Sequence, residues 1–214
     1  MPAETITDAP PRKPRAANTE RRRAQLLAAT RASIVANGLQ RTTLATVAKE
    51  AGLSQGVAVF YFKSKTGLLT EVLRDHYARY ERNWREYLDA AGEDPLDRLV
   101  ALTEADFDPA VCGPEPLSIW FAFWGELRST PQYAEVAEGF DRGRRRELRA
   151  LCAQLSPEEE SDDMADWLDR LSDGYWQTLH VNPAGLSPEA GRTACLRLIA
   201  RLLPQHAGRI ARRT

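Results

Sequence analysis

The stretch from Thr42 to Leu69, TTLATVAKEAGLSQGVAVFYFKSKTGLL, constrains the fold of this chain more than any other. Thr42 or Thr43 is placed to cap a first short helix, since a threonine oxygen accepts from the free N–H groups of a first turn. Gly52 stands where a left-handed residue ends a helix, and Ser54 is placed to cap the next one. Two short helices joined by a tight turn predict a helix-turn-helix, whose second helix lies in the DNA major groove. An ordinary helical hairpin is the alternative interpretation of this spacing.

The residues after the second helix favour the DNA-reading interpretation. Ser64 begins a longer amphipathic helix with Lys65 in its first turn, where the helix dipole favours negative charge and a DNA phosphate would fit. The segment carries a set of residues that recur together: Thr42-Thr43-Leu44, Val47-Ala48, Ala51-Gly52-Leu53-Ser54, Gly56, Tyr61-Phe62, Lys65 and Leu68-Leu69. With this set the segment resembles the TetR family of bacterial one-component regulators.

The charge of the chain is divided unevenly. Residues 1–75 carry 12 lysines and arginines against 6 aspartates and glutamates, whereas the rest of the chain carries 17 against 24. A basic first third suits phosphate binding, and an acidic remainder would be repelled by DNA. The net charge of −1 hides this division.

The composition is that of a globular chain, with 43% hydrophobic and 28% charged residues among 214. The sequence has no apolar run of membrane-spanning length and no signal-peptide apolar region, so we expect a cytoplasmic protein without membrane contact. The cysteines (Cys112, Cys152, Cys195) and histidines (His76, His180, His206) are scattered, without disulfide or metal-ligand spacing. We therefore expect no metal and no cofactor.

Helical periodicity and Pro, Gly or Ser punctuation predict an all-α fold of about nine helices. Their expected bounds are about 19–37, 43–51, 54–61, 64–91, 95–106, 116–129, 131–155, 157–180 and 188–203. Residues 1–17 contain four prolines and are predicted to be a disordered arm, in which Arg12, Lys13 and Arg15 are candidates for phosphate contacts. Residues 18–64 would then form the helix-turn-helix domain, and residues 65–214 the ligand-binding and dimerisation domain.

Side chains of the second helix of the motif are the candidates for reading bases. Gln55 suits adenine, and Val57 or Ala58 suits a thymine methyl group, while Tyr61 and Lys65 are expected on phosphates. The sequence departs from the family at Val59 and Phe60, where an aromatic hydroxyl or a histidine often stands. The predicted DNA-binding residues are Thr42, Thr43, Ser54, Gln55, Gly56, Val57, Ala58, Phe60, Tyr61 and Lys65.

Aromatic residues are concentrated in the second part of the chain. Trp120 and Trp124 are four residues apart and share one helix face, and Tyr175-Trp176 follows on a later helix. Ring faces beside carboxylates suit a desolvated quaternary ammonium group, because each face carries negative potential. The alternative interpretation is that these rings simply fill the core of a helical domain.

A narrower resemblance favours a ligand site. Asp106-Phe107-Asp108, Trp120–Trp124, Pro131 and Asp173–Trp176 are similar to the corresponding segments of BetI-type repressors. These repressors control genes for choline uptake and glycine betaine synthesis and respond to choline. The resemblance implies that Trp120, Trp124, Tyr175 and Trp176 form a cage for a trimethylammonium group. The predicted ligand-binding residues also include Phe107, Asp108, Phe121 and Asp173. Glu104, Asp106, Asp108 and Asp173 remain alternatives as the carboxylate that helps to bind the cation.

The resemblance also implies a homodimer on a pseudo-palindromic double-stranded DNA operator, with half-sites about 34 Å apart. The apolar stripes of the last two long helices are the candidates for its interface. They consist of Met164, Trp167, Leu168 and Leu171, and of Ala194, Leu196, Leu198, Ile199 and Leu202. Either stripe could instead face the core of its own subunit.

The sequence thus predicts a ligand-responsive transcriptional repressor, with choline as the candidate inducer. A regulator, repressor or activator, of an unrelated small apolar or cationic ligand is one alternative, and a DNA binder that senses no ligand is another. An all-α enzyme lacks support, because the sequence shows no nucleophile–base pair, phosphate-binding glycine loop or metal cluster at recognisable spacing.

Overall fold

A computed structural model describes residues 15–213, all of whose regular secondary structure is helical. The helices are α1 (Arg15–Arg41), α2 (Leu44–Glu50), α3 (Gln55–Phe62), α4 (Lys65–Ala91), α5 (Pro95–Ala105), α6 (Pro109–Cys112), α7 (Pro114–Trp124), α8 (Pro131–Leu155), α9 (Glu158–Val181), α10 (Pro188–Leu202) and α11 (Ala207–Ile210). A 3-10 turn, Pro204–His206, precedes α11. The all-α prediction is therefore confirmed. None of the described helices combines the length and apolar character that crossing a membrane requires.

The beginning of the chain differs from the prediction. Helix α1 begins at Arg15, so residues 15–17 of the predicted arm belong to a helix, and Arg12 and Lys13 lie outside the described residues. The predicted stop near Asn37 corresponds to a break at Gly38, whose φ of 76° and ψ of 169° are not helical. Helical turns resume after the break and continue to Arg41. A side chain at Gly38 would be strained by this positive φ.

The connecting segment before the aromatic helix is shorter than expected. Residues 109–112, which were predicted to lie in a connection, form the single-turn helix α6, capped by Asp108. Helix α7 begins at Pro114 and ends at Trp124, compared with the predicted 116–129. Proline is well tolerated in a first helical turn, where its missing N–H has no partner to lose, and this explains the earlier start.

Two clusters of buried apolar side chains hold the fold together, and α4 takes part in both. Leu68 to Tyr77 of α4 pack in the first cluster with side chains of α1, α2, α3 and α7. Trp84 and Leu88 pack in the second cluster with α5, α8, α9 and α10. The first cluster crosses the predicted boundary at residues 64 and 65, so the helix-turn-helix and the aromatic helix α7 share one core.

Candidate DNA-reading surface and ligand cavity

Local hydrogen bonds fix the helix-turn-helix. Thr43 caps α2, since its side chain accepts from the backbone N–H of Thr46 at 3.1 Å, and the Thr46 hydroxyl accepts from the N–H of Thr43 at 3.0 Å. The turn is closed by the N–H of Leu53, which donates to the carbonyl of Ala48 at 2.8 Å, with Gly52 at a φ of 66°. Ser54 stands at the N-cap of α3 without a side-chain capping bond, so its hydroxyl is not used by the cap.

The exposed face of α3 contains most of the predicted base-reading residues. Ser54, Gln55 and Gly56 are exposed, and the Phe60 side chain is 67% exposed. Val57 and Tyr61 are half-buried. Val59, which was not among the predicted residues, is also exposed. Its position four residues after Gln55 puts it on the same helix face, so the spacing alone could have predicted its exposure.

Two predicted DNA-binding residues lie in the interior. Thr42 is fully buried, where its hydroxyl donates to the carbonyl of Gly38 at 2.9 Å and lies 3.0 Å from the Ser33 hydroxyl. Ala58 is fully buried on the inner side of α3, one helical turn before the buried Phe62. We remove both from the candidate surface, because a buried side chain cannot contact a groove.

The start of α4 is fixed from both sides. Lys63 has a φ of 64°, and Ser64 then caps α4 by accepting from the N–H of Gly67 at 3.0 Å. A Cβ at Gly67 would collide with the carbonyl oxygen of Phe62, so this junction requires glycine. Lys65, half-buried, donates to the carbonyl of Gln40 at 2.8 Å, which ties the start of α4 to the end of α1.

A cavity of about 520 Å³ opens between α4, α7, α8 and α9, and we call it the aromatic cavity. Its aromatic wall consists of Tyr77, Tyr80, Trp120, Trp124 and Trp176. The Trp120 and Trp176 rings are stacked with centroids 5.9 Å apart, and the Tyr80 ring meets both edge-on at 5.7 and 5.6 Å. The indole N–H of Trp176 donates to the backbone carbonyl of Asp106 at 2.7 Å.

A buried ion pair forms one end of the aromatic cavity. The Arg144 guanidinium bridges Asp106 at 2.5 Å and Asp169 at 2.6 Å, and the Tyr80 hydroxyl donates to Asp106 at 2.7 Å. Burial by itself would lower the pKa of Arg144, but the Asp106 carboxylate raises it, so the guanidinium stays charged. Asp106 is therefore fully engaged by its own partners.

Two other carboxylates of the aromatic cavity have no arginine or lysine within 4 Å in the described part of the chain: Asp141 and Asp173. Burial raises the pKa of Asp173 to about 7, and the nearby Asp169 raises it further. Burial likewise raises the pKa of Asp141 to about 6, where the carboxyl is hydrogen-bonded to the Tyr77 hydroxyl. Asp141 and Asp173 are thus two carboxyl groups of this cavity without an ion pair among the described residues, and Arg145, Arg149 and Arg170 line the same cavity at longer distance.

The structure brings together four of the eight predicted ligand residues: Trp120, Trp124, Asp173 and Trp176. The other four do not line the aromatic cavity. Phe107 is buried against Tyr175, Phe121 stacks on the His180 ring at 4.7 Å, and Asp108 caps α6 and accepts from the Tyr87 hydroxyl. Tyr175 and Trp176 diverge because successive helical residues point about 100° apart.

The contributions of α4 and α8 to this cavity were not predicted from the sequence. Tyr77 and Tyr80 are separated by three residues and therefore share a face of α4, and Asp141 and Arg144 share a face of α8 in the same way. The spacing within each helix can be seen in the sequence, but the sequence around these residues does not indicate that the two helix faces pack against α7. Among the described residues, no group of three or more His, Cys, Asp or Glu side chains is placed to hold a metal ion.

The chain matches two known protein families. Residues 26–72 match the family described as bacterial regulatory proteins, tetR family. Residues 95–204 match the family described as BetI-type transcriptional repressor, C-terminal.

Two curated relatives carry the same name. The HTH-type transcriptional regulator BetI of Stenotrophomonas maltophilia (strain R551-3) is 33% identical over 158 residues, which cover 72% of this chain and 79% of the relative. The protein of the same name from Paraburkholderia xenovorans (strain LB400) is 36% identical over 170 residues, with 76% and 84% covered.

Solved structures extend the likeness over most of the fold. A transcriptional regulator from Pseudomonas aeruginosa PAO1 superimposes with a TM-score of 0.77 at 29% identity, covering 89% of this chain and 94% of that one. A regulator from Saccharomonospora viridis, solved in complex with choline, gives a TM-score of 0.74 at 20% identity, with 84% and 96% covered. At that identity the second likeness shows the fold alone.

Proposed function

This chain belongs to the TetR family of bacterial regulators, as a transcriptional repressor with a BetI-type C-terminal domain, and we propose that choline or a related quaternary ammonium compound releases it from its operator. It is a DNA-binding regulator and not an enzyme. The genes that we propose it controls are those for choline uptake and glycine betaine synthesis, as the BetI-type resemblance implies.

The observation that carries the ligand proposal is the pairing of aromatic faces with unneutralised carboxylates in the aromatic cavity. Trp120, Trp176 and Tyr80 line the cavity, and we propose that their ring faces attract a cation, an attraction that is stronger where water is excluded. Asp141 and Asp173 line the same cavity and supply negative charge. A trimethylammonium group has no N–H to donate, and it suits an aromatic wall because the attraction between a cation and a ring face requires no hydrogen bond.

The other carboxylates considered from the sequence are already engaged. Arg192 donates to Glu104 at 2.6 Å, Arg144 holds Asp106, and Asp108 accepts from the Tyr87 hydroxyl at 2.8 Å. Asp173 is the member of the predicted set that has neither an ion pair nor a hydrogen bond to such a partner among the described residues, and with a pKa raised to about 7 it can ionise when a cation enters. We therefore propose Asp173, together with Asp141, as the counter-ion of the ligand.

On DNA, we propose that Ser54, Gln55, Gly56 and Phe60 face base edges, and that Thr43, Tyr61 and Lys65 contact phosphates. The half-buried Val57 would contribute only from the edge of α3. The helix-turn-helix motifs of two subunits, which we call the reading heads, must lie about 34 Å apart, and this requires a dimer. TetR regulators typically dimerise. Of the two apolar stripes predicted for the interface, Met164, Leu168, Leu196 and Ile199 are buried in the core of the subunit itself. We therefore propose the exposed side of α9 as the interface, where Trp167 is 50% and Val181 74% exposed.

Helix α4 offers a direct mechanical connection between the two sites. Its first residue, Lys65, is bonded to the end of α1, and its Tyr77 and Tyr80 form part of the aromatic wall. We propose that a ligand inserted against these rings shifts α4 and with it the spacing of the two reading heads. The ligand can shift this balance only by binding one arrangement more tightly than the other.

The test is an operator-release experiment with a matched pair of ligands. The dimer is bound to an operator selected from random DNA duplexes, and fluorescence anisotropy is followed during titration with choline or with 3,3-dimethyl-1-butanol. The second compound has the shape of choline with carbon in place of the charged nitrogen. We expect release by choline and at least tenfold weaker release by the neutral analogue, because the cation–π attraction and the carboxylates act on charge.

Each result has a distinct meaning. No release at millimolar choline contradicts the choline assignment and leaves the repressor assignment intact. Equal release by both compounds contradicts the role of charge in the aromatic cavity. An Asp173→Asn variant should respond less to choline, whereas Asp163→Asn, an exposed change on the same helix, should respond as the unmodified protein does.

A further inference from the structure

A second cavity, of about 350 Å³, lies between α1, α4, α6 and α7, and we call it the arginine cavity. Arg31, His76, Arg79 and Glu115 supply its charged and titratable side chains, and Val111 and Ile119 are among its apolar ones. It shares only Tyr80 and Trp120 with the aromatic cavity, so Trp120 lines both. The proposed release by choline makes no use of this second space.

Two residues that line the arginine cavity each have a buried polar atom without a hydrogen-bond partner among the described residues: Trp120 with its indole Nε1 and His76 with its imidazole Nε2. Trp120 is 2% exposed and His76 is 6% exposed, and their ring centroids are 4.3 Å apart. Buried polar groups are nearly always satisfied, so an orphaned pair that lines a cavity points to an absent partner. The indole N–H requires an acceptor.

The charge state of His76 decides what its nitrogen requires. Burial lowers the pKa of His76 to about 3, and the positive charges of Arg31 and Arg79 contribute to this shift. The backbone carbonyl of Pro116 is the hydrogen-bond partner of the ring, which leaves Nε2 as a lone pair. A neutral imidazole in this state accepts a hydrogen bond, so its missing partner is a donor.

The arginines of the arginine cavity have too little negative charge beside them. Arg31 and Arg79 share a single oxygen of Asp75, at 2.6 and 2.9 Å. Burial lowers the pKa of Arg31, and the repulsion from Arg79 adds to this more than Asp75 offsets it. Glu115 is exposed at the rim. An anion in the cavity would relieve this repulsion.

We propose that the arginine cavity binds a small 2-hydroxycarboxylate. Its carboxylate would accept from the Trp120 N–H and be held by Arg31 and Arg79. Its hydroxyl would donate to Nε2 of His76. Val111 and Ile119 would cover the short carbon chain, so that one small molecule satisfies every group that the fold leaves without a partner in this cavity.

A ligand in the arginine cavity would change ligand affinity in the aromatic cavity, because Trp120 lines both. A ligand bonded to the indole N–H holds the ring in one orientation, and that ring forms part of the cation-binding wall. The coupling is reciprocal, so each ligand would change the affinity of the other by the same factor.

The test observes the indole N–H groups directly. Protein labelled with ¹⁵N in tryptophan is titrated with sodium L-lactate, sodium propionate or propane-1,2-diol at constant ionic strength, and the Trp120 signal is assigned with a Trp120→Phe variant. We expect lactate to shift the Trp120 N–H signal saturably and the diol to leave it unchanged. Propionate should bind about tenfold more weakly, because it leaves His76 without a donor. The N–H of Trp167, which is half exposed on α9 and lines neither cavity, serves as an internal reference.

Variants separate the contributions. His76→Leu should make lactate and propionate bind equally, and Arg79→Gln should weaken lactate binding severalfold. Arg85→Gln is the matched control. Arg85 pairs with Glu81 on α4, just as Arg79 pairs with Asp75 on the same helix, but Arg85 lies outside the cavity. If His76→Leu does not fold, the lactate affinities of Arg79→Gln and Arg85→Gln still test the proposal.

Three results would overturn the proposal: no saturable shift of the Trp120 signal with lactate, equal affinities of the unmodified protein for lactate and propionate, or equal effects of Arg79→Gln and Arg85→Gln. None of these measurements involves DNA or choline. Failure here therefore leaves the proposed repressor function untouched.

Discussion

At the scale of single residues, the carboxylates around the aromatic cavity differ in what neutralises them. Asp106 is 1% exposed and shares Arg144 with Asp169. Asp141 and Asp173 instead keep raised pKa values, about 6 and about 7, because burial is not compensated by a contacting cation. A half-buried carboxyl without a contacting cation avoids its desolvation cost by taking up a proton. The free aromatic cavity therefore holds carboxyl groups that titrate near neutral pH.

This titration predicts that choline binding depends on pH. A bound cation favours the ionised carboxylates and lowers their pKa values, so protons leave as the ligand enters. Affinity should rise as pH increases from about 5.5 to about 8, by roughly tenfold if one carboxyl dominates. Isothermal titration calorimetry at several pH values measures the slope. Asp173→Asn should flatten it and Asp163→Asn should not; an unchanged slope in Asp173→Asn would contradict the assignment.

At the scale of elements, α3 has a buried side and an exposed side, with Val57 and Tyr61 half-buried between them. Ala58 and Phe62, four residues apart, are buried, whereas Gln55 and Val59, and Gly56 and Phe60, repeat at the same spacing on the exposed side. The short helix thus offers DNA a mixed face with one polar amide and a large apolar ring. Lys63 lies over the Phe60 ring at 5.5 Å, which keeps a positive charge beside that face.

Phe60 is therefore expected to contribute to operator affinity and hardly to stability. Phe60→Ala should weaken operator binding severalfold or more, since burying a phenylalanine side chain contributes about 1.5 kcal/mol or more. Its effect on the free energy of unfolding should stay within about 0.5 kcal/mol, as for other exposed sites. Anisotropy and urea denaturation measure the two quantities. Val35→Ala, an exposed apolar change on α1, is the control; a loss of stability in Phe60→Ala without loss of affinity would reverse this interpretation.

At the scale of the whole molecule, packed helices join the two proposed sites. Helix α4 contributes to both apolar clusters, and Arg31 of α1 pairs with Asp75 of α4 at 2.6 Å. Gln40, near the end of α1, donates to Glu126, which follows α7, at 3.2 Å. Displacement of the aromatic wall would therefore reach the reading head through packed elements.

The proposed dimer gives a prediction at this scale. Gly174 is exposed on α9, and a Cβ at this position would have open space around it, so an arginine there fits the isolated subunit but would obstruct a partner packed on that face. Gly174→Arg should yield monomers in sedimentation velocity and lose operator affinity. Ala153→Arg, an exposed change on α8, is the control. A Gly174→Arg dimer that still binds its operator would place the interface elsewhere.

The sequence by itself determined the helical fold and the helix-turn-helix. Both depend on local features, such as the Thr43 cap, the left-handed Gly52 and the spacing of apolar residues, whose physical effects act within a few residues. The aromatic side chains of α7 and α9 could likewise be recognised as unusual from their sequence alone.

Only the tertiary structure decided which of those side chains meet and which carboxylates remain unpaired. Asp106 is neutralised by Arg144, 38 residues away, and Glu104 by Arg192, 88 residues away. The tertiary structure also placed Thr42 and Ala58 in the interior and formed the arginine cavity beside Trp120. The physical reason is that burial and electrostatic pairing depend on which helix faces pack together, and local periodicity identifies a face without identifying its partner.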